Sequence, residues 1–341
     1  MAGVTIGRRA FLAGVAGAGA GGLTTRLGAQ GPALRIDTHH HVFPPPYVAA
    51  QRALGINDGF AVQWTVDATL EDMDRAGVAT AVLSVTSPAT TFAEPAVARR
   101  VARESNDWIA RLVADRPGRF GLFALVPMPG VDDTLREIEY ALDVLKADGI
   151  GFMTSYGDQW LGHASFAPVM DELHRRGAVA YTHPTNADCC RSLQPGIPSS
   201  VIEFGTDTSR TITDVVFSGT AARCADVRFI FSHAGGTLPY LTERLLRMPI
   251  QNTTLQASVP NGVLYELRRF YYDTAWSAHP GALASLTRLV RTSQILFGSD
   301  YPYRAGADHV QGLTDYGFTA ADLRAIGHEN ARRLLPRLRV T

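Results

Sequence analysis

Eight apolar runs that alternate with amphipathic stretches predict an α/β protein, a (β/α)8 TIM barrel. Three observations carry the prediction. The runs are rich in Val, Ile, Leu and Phe without alternating polar and apolar residues, which is how parallel strands buried on both faces read. The stretches between them have helical spacing, so strand and helix follow each other as βαβ units. Several runs end in an imidazole or a carboxylate, and strand ends are where such a barrel assembles its chemistry. No Gly-x-Gly-x-x-Gly follows the first run, so an open dinucleotide-binding sheet lacks its fingerprint.

The runs fall at residues 34–37, 78–86, 120–126, 149–155, 179–183, 227–233, 270–274 and 295–300. Helical patterns lie at 70–76, ending before Gly77, at 135–146, and at 166–176, ending before Gly177. Glycine just past the last periodic residue is a helix stop signal. A further helix is expected at 208–218 and a terminal one at 323–335. Residues 44–65, with Tyr47, Arg52 and Trp64, and the Pro/Ser-rich residues 194–207 read as loops on the side where the motifs end. Both are placed to cover a site there.

The 341 residues divide at about position 30. Gly7-Arg8-Arg9-Ala10-Phe11-Leu12, a short Gly/Ala-rich apolar stretch and Leu27-Gly28-Ala29 read as a twin-arginine export signal cleaved near Ala29. The protein is therefore expected in the periplasm or outside the cell, with residues 31–341 as one barrel domain. The stretch is too short and too rich in small residues to span a bilayer well, so no stable membrane anchor is expected. Removing Arg8, Arg9 and Arg26 from 32 basic residues leaves 29 against 32 acidic ones, a net of −3. That balance is no footprint for nucleic acid or anionic lipid. Cys189, Cys190 and Cys224 are too few for a disulfide framework.

Chemistry concentrates in four motifs. In a strand, His39 and His41 point to one face, so two imidazoles grip one metal from one side while His40 points away. His183 ends the fifth run, and Pro184 stops the strand behind it. It reads as the third imidazole ligand. His233 opens into Gly235-Gly236 and is a ligand or, better in a one-metal site, a general acid/base. Asp300 ends the eighth run and reads as a ligand, a base for bound water, or both in turn. The only lysine, Lys146, precedes the fourth run, whose end holds no lysine to bridge two metals. One divalent ion is expected, zinc first with manganese as the alternative, and no organic cofactor. Trp160, just past the fourth run, is a candidate to stack on a flat substrate. Arg210 is a candidate partner for a substrate carboxylate, with Glu203 beside it, and Tyr47 a further candidate contact. Asp273 ends the seventh run and is a candidate support for a ligand.

Asp37-x-His39-x-His41, His183-Pro184, His233-Ala-Gly-Gly and Gly298-Ser-Asp300-Tyr-Pro together resemble the amidohydrolase-related family. They look most like its branch of α-amino-β-carboxymuconate-ε-semialdehyde decarboxylase and the 6-methylsalicylate and γ-resorcylate decarboxylases. The resemblance runs from about residue 35 to residue 336. It includes Thr154-Ser155-Tyr156-Gly157 and the closing Glu329-Asn330-Ala331. It implies a barrel of the metal-dependent hydrolase type, with His39, His41, His183 and Asp300 as ligands and His233 as the catalytic histidine. It also implies a homodimer. One departure from the semialdehyde enzyme is the lack of a basic residue between His41 and Arg52.

The expected activity is metal-dependent, non-oxidative decarboxylation of a small aromatic or unsaturated carboxylic acid, a carbon–carbon lyase reaction. His233 or Asp300 would deliver the proton. The alternative is hydrolysis of a lactone or amide, because the same ligands lower the pKa of bound water to about 7.

Overall fold

The computed structural model describes residues 34–56, 59–190 and 196–338. The export signal expected over residues 1–30 lies outside them. Eight parallel strands form one sheet in sequence order: Arg35–His41, Val78–Ser84, Phe120–Leu125, Gly149–Met153, Val179–His183, Arg228–Phe231, Tyr271–Asp273 and Ile295–Leu296. Backbone bonds from Thr38 N to Phe297 O (2.9 Å), Asp300 N to His39 O (2.8 Å) and His41 N to Tyr301 O (2.8 Å) join the last strand's end to the first. They bring the sheet to a barrel and lock the segments of three expected ligands together.

Apolar residues on both faces of the strands have two destinations. Ile36, Val82, Phe123, Val179, Tyr181, Ile230 and Leu296 face inward, where Leu334, Leu335 and Leu338 pack against them. Their neighbours Leu83, Leu122, Ala180, Phe229 and Phe231 face the surrounding helices. Side chains of successive residues point to opposite faces. Two residues beyond an interior position therefore lies another one: Val82 leads to Ser84, Tyr181 to His183 and Tyr271 to Asp273.

Helix Val66–Ala76 starts where the Thr65 side chain accepts from Ala68 N (3.1 Å) and stops at Gly77 in the left-handed region (φ 63°). Helix Ala167–Arg176 stops at Gly177 in the same way (φ 56°). Three expectations need correction. Residues 44–65 are not a plain loop: helix Pro45–Ala53 opens on two prolines, which are pre-set for a first turn. Helix Glu203–Phe217 begins five residues before the expected 208. Its Thr206, Thr208, Ser209 and Thr213 hydroxyls donate to carbonyls four residues back, so groups that usually break a helix are satisfied inside this one. The terminal helix is interrupted, with Ala320–Arg324 and Asn330–Leu334 separated by a wide π turn, Ala325–Glu329. Helix Pro95–Asp115, absent from the sequence reading, carries Asn106, which exchanges hydrogen bonds with both backbone groups of Leu125. Among the described residues no helix is long and apolar enough to cross a membrane, and the three cysteines are free.

Candidate metal centre

His39, His41, His183 and Asp300 meet where the strands end, with one ligand atom from each lying within 4.8 Å of all the others. All four are buried. Asp300 Oδ1 lies 2.7 Å from His41 Nε2, 3.0 Å from His39 Nε2 and 3.9 Å from His183 Nε2. His39 Nε2 and His41 Nε2 are 3.2 Å apart. The first strand supplies two of these rings because alternation puts residues 39 and 41 on its inner face. His40 points outward, donates from Nδ1 to Asp37 Oδ2 (3.0 Å) and stacks on Tyr301 (4.8 Å).

The other ring nitrogens decide whether this cluster suits a cation. His39 Nδ1 meets Asp273 Oδ2 (2.8 Å), His41 Nδ1 meets Ser84 O (3.3 Å) and His183 Nδ1 meets Pro184 O (2.8 Å). A carbonyl or carboxylate only accepts, so each Nδ1 carries the proton. That leaves three Nε2 lone pairs and one carboxylate oxygen aimed at one point. A divalent ion satisfies such a donor set, and outer partners of this kind orient metal-binding histidines. Without a metal, electrostatics keep two of the three rings in that neutral form. Burial pushes the His183 pKa well down and lowers that of His41, keeping both rings neutral. Burial also works against a charged His39, but Asp273 and Asp300 outweigh it and hold its pKa at about 10. Burial favours neutral Asp300, yet the charge on His39 and the surrounding imidazoles hold its pKa well below the usual carboxylate range.

His233 stands beside this set. Its ring stacks on His39 (5.0 Å), and its Nε2 lies 3.4 Å from Asp300 Oδ2 without hydrogen-bond geometry. That nitrogen is buried and takes no hydrogen-bond partner. The turn holding it is strained, with His233 (φ 52°) and Ala234 (φ 56°) in the left-handed region, and Asp300 (φ 63°), past the eighth strand, shares that conformation. Such positions cost on the order of 1–3 kcal/mol each and cluster at functional sites. Glycines beside a functional imidazole commonly let the backbone pass close to a ligand, but those after His233 have another use. They make room for the protein instead: a Cβ on Gly235 would stand 2.8 Å from the Tyr272 ring, and one on Gly236 would overlap the Gly205 carbonyl.

A family profile for amidohydrolases matches residues 36–337. The chain belongs to that family. It is 36% identical to decarboxylase yanB of Aspergillus niger, over 90% of this chain and 88% of the relative. It is also 36% identical to the 6-methylsalicylic acid decarboxylase acuB of Aspergillus aculeatus, over 90% of this chain and 97% of the relative. These relatives bear out the aromatic-acid branch expected from the motifs. The crystal structure of a dihydroxybenzoic acid decarboxylase from Polaromonas, holding manganese and 2-nitroresorcinol, superposes with a TM-score of 0.76 at 22% identity. The match covers 89% of this chain and 97% of that one, and it shows the same barrel.

Each of the three residues proposed to touch substrate has a partner within the protein. Trp160 is half-buried and donates from Nε1 to Asp207 Oδ1 (2.7 Å). Arg210 is engaged by Glu203 Oε2 (3.2 Å), so its guanidinium is tethered. Tyr47 is fully buried, packs on Phe92 (5.8 Å) and accepts from Gln51 Nε2 (3.0 Å), which makes it part of the packed interior. Sequence reasoning undervalued Asp273. One of its oxygens accepts from His39 Nδ1, and the other accepts from the backbone N of His233 and of Ala275 (both 3.0 Å). Its place at the end of the seventh run was the available signal. Phe204, edge-on to His183 (6.0 Å), and Tyr303, edge-on to His41 (5.8 Å), had no sequence signal.

Proposed function

We propose that this chain is a metal-dependent, non-oxidative decarboxylase of a small aromatic carboxylic acid. The observation that carries the reading is His233 Nε2, buried, without a hydrogen bond and 3.4 Å from Asp300 Oδ2, beside a complete three-imidazole, one-carboxylate set. A hydrolase with this set needs bound water and one base. A decarboxylase also needs a proton donor aimed at carbon, and a free imidazole nitrogen gives and takes a proton at neutral pH. Relatives 36% identical over nine-tenths of the chain, named as decarboxylases, support the same choice over lactone or amide hydrolysis.

A divalent ion held by His39, His41, His183 and Asp300 would supply positive charge for the substrate carboxylate and a neighbouring oxygen. The donor set suits zinc, our first choice, and manganese. His233 delivers a proton from Nε2 to the ring carbon bearing the carboxylate. The carbon–carbon bond then breaks, its electron pair returns to the ring, carbon dioxide leaves, and His233 regains a proton from solvent. Asp273 holds the His233 backbone and the His39 ring from one carboxylate, fixing the proton donor relative to the ligands. Phe204 and Tyr303 set apolar ring edges against two ligands, a surface suited to an aromatic acid.

The test is carbon dioxide release from 6-methylsalicylate and related hydroxybenzoates by zinc- or manganese-loaded protein, beside a lactone panel. Lactone hydrolysis without carbon dioxide release would overturn the reading. The leader supports export by the twin-arginine route to the periplasm or beyond. Cell fractionation that finds only uncleaved cytoplasmic protein would refute export.

A further inference from the structure

Asp207 is a carboxylate that the reaction above does not use, and it is completely buried. It lies in the second turn of helix Glu203–Phe217. Oδ2 accepts from Thr154 Oγ1 (2.5 Å) and Ser155 Oγ (2.8 Å), and Oδ1 accepts from Trp160 Nε1 (2.7 Å). All three donors come from the segment that leaves the fourth strand. The same segment continues along the helix: Leu161 N donates to Thr211 Oγ1 (3.3 Å), and a Cβ on Gly162 would meet the Asp214 backbone. Residues 207, 211 and 214 lie on one helical face, so this face is the bed on which the segment rests.

The bed is joined to the reaction centre on two sides. Thr154 N donates to the carbonyl of His183 (2.9 Å), and Thr154 Oγ1 accepts from Thr185 N (3.1 Å). At the start of the helix, Phe204 packs on the His183 ring. Gly205 O accepts from Thr237 N (3.2 Å), just past the His233 turn. Only an acceptor-only group fits Asp207's place, because three donors converge on two oxygens. An asparagine of the same size would turn an N–H toward at least one of them. Burial pushes this carboxyl above its usual range while the hydroxyls, the indole and Arg210 at 4.0 Å pull it back.

We propose that Asp207 is a positioning residue that fixes the Trp160 indole as a wall of the aromatic-acid site. It does so by tying the segment after the fourth strand to the helix that abuts His183 and the His233 turn. The proposal rests on the aromatic-acid reading but is tested without turnover. The probe is benzoate, titrated calorimetrically into metal-loaded protein, with metal affinity measured separately by chelator competition. Asp207→Asn is expected to weaken benzoate binding at least tenfold, leave metal affinity within threefold and, once a substrate is in hand, raise KM more than it lowers kcat. It should also shift the near-ultraviolet circular dichroism of the indole, a change absent when Asp207→Asn is made in a Trp160→Phe background. Trp160→Phe leaves the Thr154 and Ser155 bonds in place and should weaken benzoate in the same direction, which covers failure of Asp207→Asn to fold. Unchanged benzoate affinity in both variants overturns the proposal. So does loss of metal affinity in Asp207→Asn, which would place its action on His183 through Thr154. Absence of benzoate binding by the unmodified protein overturns the placement of Trp160, whereas carbon dioxide release judges the decarboxylase reading on its own.

Discussion

Replacing Asp273 with asparagine changes one atom, and the structure says which consequence follows. Oδ2 accepts from His39 Nδ1 at 2.8 Å, while Oδ1 accepts two backbone N–H groups. An amide with its NH2 on the backbone side would face two donors with two more. The lower-cost orientation keeps the amide oxygen there and turns the NH2 toward His39. Two donors cannot share that contact, so the neutral ring, the form that binds a metal, places its proton on Nε2. Nε2 lies 3.0 Å from Asp300 Oδ1 and 3.2 Å from His41 Nε2, and a proton there occupies the point at which the lone pairs converge. Loss of an outer-shell partner typically costs 10–100-fold in metal affinity, equivalent to about 1.4–2.8 kcal/mol. The assay is zinc and manganese competition against a chromophoric chelator at neutral pH, with thermal melting of the chelated protein as the folding control. Asp273→Asn with metal affinity within twofold of the unmodified protein, and intact folding, would refute the tautomer argument.

Three further outcomes are expected. His233→Ala should lose on the order of 10²–10⁴-fold in turnover, the range of a general acid, while metal content measured by atomic emission stays at one ion; loss of the ion instead would make His233 a ligand. Gly236→Ala should destabilise by about 1–3 kcal/mol in urea melts, because φ is 64° and the new Cβ overlaps the Gly205 carbonyl; unchanged stability would contradict that packing. In metal-free protein, burial opposes a charged His39, but Asp273 and Asp300 raise its pKa to about 10. A raised pKa gives stability that is fully present below the unfolded value of about 6.5 and lost as pH rises toward 10. Chelated protein should therefore weaken across that window, and metal uptake at pH 8 should release a proton, read by calorimetry in buffers of different ionisation enthalpy; no buffer dependence would exclude a protonated His39.

How much was legible depended on the range of the interaction. Strands buried on both faces announce themselves as apolar runs, so all eight could be located, the fifth to its last residue, His183. Helices Val66–Ala76 and Ala167–Arg176 carry their stop glycines in the sequence. Helix Glu203–Phe217 was read as beginning too late because its hydroxyl-rich first turns look like loop until the hydroxyls bond back to their own helix. Likewise, Arg210 was a candidate partner for a substrate carboxylate until Glu203, two helical turns away, was seen to hold it.

The sequence by itself determined the barrel, the family and the four side chains that converge on one point. Alternation along a strand fixes which residues share a face, and His39, His41, His183 and Asp300 sit at run ends that any closed sheet must gather. Tertiary structure alone decided the proton on His39 and His41, since Asp273 and Ser84 supply the acceptors from 234 and 43 positions away. It also decided that His233 Nε2 stays free and that Trp160 is held by Asp207. Those outcomes depend on the register between distant strands and on the lie of one helix, quantities set by packing the whole chain rather than by any local pattern.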